Sequence, residues 1–121
     1  MALLAGALLA SICPSAKAAE AMAAIPPEGL TLHYDVLRDG DKIGDHEFVF
    51  KRSGDTVDVQ VKTDVRVKLG FITLYKFWHD ATERWVGGKL IDLASKTDDD
   101  GTKHELKVSA AEGALKVLHD G

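Results

Sequence analysis

Thr56-Val57-Asp58-Val59-Gln60-Val61-Lys62-Thr63-Asp64-Val65-Arg66-Val67-Lys68 decides the fold of this chain. Val57, Val59, Val61, Val65, Val67 and the following Leu69 fall on odd positions, with Thr63 the one polar member of that set. Thr56, Asp58, Gln60, Lys62, Asp64, Arg66 and Lys68 fall on even positions. Only a pleated strand sends alternate side chains to opposite faces. The segment is therefore one strand, apolar on one side and polar on the other. At roughly 3.3 Å per residue it spans on the order of 40 Å, about twice an ordinary strand. Strands of that length belong to large curved antiparallel sheets.

Working outward, strand-like runs follow one another with turn residues between them. Leu30 to Arg38 places Leu30, Leu32, Tyr34 and Val36 on one face, and Asp39-Gly40-Asp41-Lys42 turns the chain. Ile43 to Arg52 follows, then the loop Ser53-Gly54-Asp55 and the valine strand. Gly70 reads as a bend or bulge, with the alternation running on through Phe71, Thr73, Tyr75, Phe77 and His79. Ala81–Val86, Lys89–Thr97, Thr102–Ala110 and Ala114–His119 complete about eight strands. No helical periodicity of useful length follows Ala24. The expected fold is mostly β: a curved antiparallel meander sheet, a half-barrel or open barrel, with sequence neighbours adjacent in the sheet. Asp120-Gly121 is a hairpin signal, so the natural protein is expected to continue past it.

The first residues are of another kind. Ala2 to Ile12 is an apolar run, followed by Ala16-Lys17-Ala18, a small-x-small cleavage pattern. Residues 1–18 read as a secretory signal peptide, 19–29 as a linker outside the core, and 30–121 as the β-rich domain. The expected location is the periplasm of a Gram-negative bacterium. The apolar run is too short to span a bilayer. Cys13 follows Ile12 rather than a small residue, which argues against lipidation, and its removal leaves no cysteine for a disulfide or a thiolate metal site. The chain after Ala18 keeps 14 of the 15 basic residues and all 19 acidic ones, a formal charge of −5. That balance argues against a nucleic-acid surface.

No pattern identifies a reaction. The histidines His33, His46, His79, His104 and His119 show no His-x-His or His-x-x-x-His spacing, although imidazoles could still meet across strands. Asp98-Asp99-Asp100-Gly101 resembles the opening of a calcium loop, but loop position twelve holds Ser109 instead of glutamate. There is no Gly-x-Ser-x-Gly elbow and no Gly-rich phosphate loop. No catalytic residue, metal ligand or cofactor is therefore assigned, and an enzyme is the less favoured class. The aromatic segment carries more information. Phe71, Tyr75 and Phe77 are expected in the core, while Ile72, Leu74 and Trp78 occupy the second face and are the candidates for a hydrophobic groove.

Three stretches carry a resemblance: Tyr34–Gly40 with Ile43-Gly44, Lys68–Phe77, and Glu83-Arg84-Trp85 with Gly88-Lys89-Leu90 and Ser95–Gly101. Over roughly Leu30 to Gly101 the chain resembles exported bacterial β-rich proteins grouped as domain of unknown function 6134. The resemblance implies an exported curved sheet and supplies no catalytic residue. A looser analogy is to periplasmic lipoprotein carriers, whose half-barrels hold acyl chains. The favoured reading is an exported binding module taking a lipid or other hydrophobic small molecule on its concave face. The alternative is a structural or protein-interaction module of the cell envelope.

Overall fold

The computed structural model describes residues 14–120. The apolar run Ala2–Ile12 and Cys13 lie outside them. A ten-residue helix α1, Pro14–Ala23, leads into seven strands: β1 Leu30–Arg38, β2 Asp41–Ser53, β3 Thr56–Leu69, β4 Ile72–Val86, β5 Lys89–Asp99, β6 Thr102–Ala111 and β7 Ala114–Asp120. They form one antiparallel meander in the order β1-β2-β3-β4-β5-β6-β7, not closed into a barrel. Among the described residues no helix is long and apolar enough to cross a membrane.

Short loops set this topology. Each pair of consecutive strands is joined by two residues, which bring the strands back in register. Asp39-Gly40, Asp100-Gly101 and Glu112-Gly113 each carry two positive φ angles, the backbone that matches the twist of the flanking strands. Two expectations change here. Gly70 is not a bend inside a run but, with Phe71, the β3–β4 hairpin loop, so Phe71 lies at a tip, 97% exposed, and not in the core. Seven strands replace about eight, because the chain passes through Asp80 without a turn and Ile72–Val86 is a single fifteen-residue strand.

The odd positions of β3 do form the inner face: Val57 and Val59 are buried, and Val61, Thr63, Val65 and Val67 are less exposed than their even neighbours beyond Val61. The register puts Phe48 and Phe50 of β2 and Ala81 and Trp85 of β4 on the same side. Helix α1 packs over one end of that face. Met22 and Ile25 join Val57, Val59, Phe50, Val61 and Trp85 in the core. The segment read as a linker thus contributes a buried residue, Ile25. Arg52 ties it down, donating from its guanidinium to the carbonyls of Ala23 at 3.0 Å and Ile25 at 2.9 Å. These acceptors lie at and just past the helix C-terminus, where carbonyls lack intrahelical partners and a cation is favoured.

Candidate functional site

The sheet forms a groove of about 730 Å³ on the face that carries the even positions of β3, opposite the helix. The register shows how the lining is assembled. Val49, Gln60, Thr82, Ala94, Lys107 and Leu118 stand in line across six strands, β2 to β7. A second line, Lys51, Asp58, Arg84, Asp92 and Ser109, runs beside the first. Residues of both β2 and β7 border one hollow, which requires the sheet to curl toward this face. Of the residues in the first line, Val49, Ala94 and Leu118 are aliphatic, and the stems of Lys51 and Lys107 add to them.

Charge is arranged unevenly along the groove. Arg84 donates to both carboxylate oxygens of Asp58, at 2.8 and 3.4 Å. The hydrogen bond from Arg84 holds the Asp58 carboxyl below its ordinary pKa, and the same bond raises Arg84. With Asp58 engaged by Arg84, Lys51 and Lys107 are the cations toward the two ends of the groove, and Asp92 lies beside Arg84. The lining therefore offers both an apolar strip and ammonium groups.

Ile72, Leu74 and Trp78 lie elsewhere. None lines this groove; they are 56%, 57% and 42% exposed, toward the β3–β4 tip. The structure does not bring the three together on one face. A bulge interrupts the register next to Val67, leaving Leu74 without an opposite residue and setting Ile72 against Leu69, while Trp78 stands against Asp64 and Asp98. A bulge reverses the alternation beyond it, so counting by twos from Trp78 misplaces Ile72. The groove residues were not singled out from the sequence. The available signal was the even face of β3 aligned with its neighbours through two-residue loops.

The histidines fall into a pattern invisible in their spacing. His46 of β2, Thr63 of β3, His79 of β4, Thr97 of β5 and His104 of β6 form one straight row across the inner face. His46 Nδ1 bonds the Thr63 hydroxyl at 2.6 Å and His79 Nδ1 the Thr97 hydroxyl at 2.8 Å. A threonine strand separates consecutive imidazoles, placing them about 10 Å apart at two strand spacings, too far to share a metal. The row is a polar stripe across an apolar face.

No curated protein and no solved structure matches the chain. The model of one family, described as a domain of unknown function, matches residues 34–121, most of β1 and all of β2 to β7. The match takes in both lines of the groove and the histidine–threonine row, and by it the chain belongs to the family of domain of unknown function 6134.

Proposed function

We propose that the protein is an exported module of the cell envelope that binds a lipid-like amphiphile with an anionic head in the groove of β2–β7. The observation that carries this reading is the lining: aliphatic Val49, Ala94 and Leu118 in one line with Lys107, and Lys51 at the β2 side. A groove of this volume falls in the range of small-molecule sites, and an apolar wall with a few charged groups is their usual make-up. The acyl part would lie along the aliphatic strip, and the ammonium groups would meet the head. Export is supported by the apolar run and Ala16-Lys17-Ala18. Cleavage after Ala18 would keep Ala19, Met22 and Ile25, through which the leading segment meets the sheet.

Displacement of a fluorescent fatty acid by unlabelled oleate tests the reading. Saturable uptake is expected, with Leu118→Asp and Lys107→Glu each weakening it tenfold or more, a loss of about 1.4 kcal/mol. Trp78→Ala should leave it unchanged. Weakening by Trp78→Ala alone would move the ligand to the surface around Trp78 in β4 and overturn the groove assignment.

A second reading, a protein-interaction module, is favoured by one feature. Leu69, Phe71, Ile72 and Leu74 leave apolar side chains exposed around the β3–β4 tip, and exposed apolar surface of this kind marks contact sites. Failure of every acyl ligand to saturate the protein would bring this reading to the front.

A further inference from the structure

At the β1–β2 edge, on the same face as the groove but outside its lining, three donor atoms converge. His33 and Asp35 are alternate residues of β1, and Asp45 stands directly opposite Asp35 on β2. His33 Nε2 lies 2.9 Å from Asp45 Oδ1 and 3.9 Å from Asp35 Oδ1, and the three donors all fall within 4.8 Å of one another. Ligands at about 2.0–2.2 Å from a tetrahedral ion stand about 3.3 Å apart, so small side-chain rotations close the set on one ion.

Two further features fit a cation here. The second imidazole nitrogen, Nδ1, faces Glu47 Oε2 at 4.0 Å. A carboxylate behind the far nitrogen is how metal-bound histidines are commonly oriented. A positive charge is also already drawn to the spot. The bulge at Val36/Leu37 leaves Ile43 unpaired and sets Lys42 opposite Leu37, turning it to the carboxylate side. Lys42 Nζ then reaches Asp35 at 2.9 Å and Asp45 at 2.7 Å.

We propose that His33, Asp35 and Asp45 form a binding site for a divalent transition ion, that Glu47 orients the imidazole, and that Lys42 is the site's own competitor. One imidazole with two carboxylates suits Zn²⁺ or Mn²⁺. The remaining coordination positions face solvent, since all three side chains are about half exposed. Binding requires Lys42 to swing out, so the ammonium sets the affinity.

The test uses the full chain with Mn²⁺ and Zn²⁺. Mn²⁺ should broaden the amide resonances of residues 33–35 and 44–47 before any others, and Zn²⁺ should bind one equivalent by calorimetry. His33→Ala should abolish the effect, and Glu47→Gln should weaken Zn²⁺ tenfold or more, as loss of an outer carboxylate does. Lys42→Met carries the sharpest sign: removing the competitor must tighten binding several-fold, whereas a merely structural ion pair would only be broken. Circular dichroism identifies any variant that has not folded, and Lys42→Gln then serves as the milder replacement. Broadening centred elsewhere, binding that survives His33→Ala, or affinity unmoved by removal of Lys42 overturns the proposal.

Discussion

Each side chain of β3 is decided by which side of the pleat it meets. Val59 is buried and pairs with Phe50 and Glu83, whereas Lys62, three residues on, faces solvent. Val59→Asp should cost about 3–5 kcal/mol by urea denaturation, since it buries an unpaired charge. Lys62→Gln should stay within about 0.5 kcal/mol. Equal losses would mean the inner face is misassigned. Asp58 answers to pH instead. Its carboxyl is held below the ordinary value by Arg84, so its contribution is present above the ordinary carboxylate pKa. That contribution is lost as pH falls through the lowered value. Asp58→Asn should therefore lie below the parent in stability at neutral pH and converge with it in strong acid, as read by denaturation at a series of pH values. The gap will be small, because the pair is half exposed.

At the scale of elements, the contact between α1 and the sheet depends on two residues far from the helix in sequence. Arg52→Met removes the donor to Ala23 and Ile25 and should cost about 1.5–3 kcal/mol, with faster proteolysis between Ala24 and Gly29. Gly88 sits at positive φ in the β4–β5 loop, and a Cβ there would lie 2.4 Å from the backbone of Ala19. Gly54 has a similar φ but open space around it. Gly88→Ala should thus be worse than Gly54→Ala, the excess reporting the helix contact; equal losses in thermal unfolding would mean that α1 does not rest there. The strands were legible because their period is two and their loops short. Helix α1 was hidden by its composition: PSAKAAEAMA in an Ala-rich leader reads as signal and linker, and nothing local marks Ile25 as a core residue.

For the whole molecule, one sheet with a short helix on one end must leave apolar surface uncovered. The buried apolar side chains among the described residues are Ile25, Val57, Val59 and Ala81, while Leu115, Val117 and Leu118 of β7 are more than half exposed. A ligand in the groove would cover Leu118 and bind only the curled sheet. The Tm should therefore rise with oleate concentration in the parent and not in Leu118→Asp, by linkage. The sequence by itself determined the antiparallel meander and the inner face of the long strand, because both follow from a period of two and from loop residues tolerant of positive φ. It also carried the family, through the residues quoted for the resemblance. Tertiary structure decided the rest. The bulge that sets Ile72 apart from Trp78, the row of His46, Thr63, His79, Thr97 and His104, and the hollow spanning Val49 to Leu118 all depend on register between strands. Register is a property of pairs: each strand's pattern is satisfied by any even shift, and only the loops and bulges joining it to its neighbours select one.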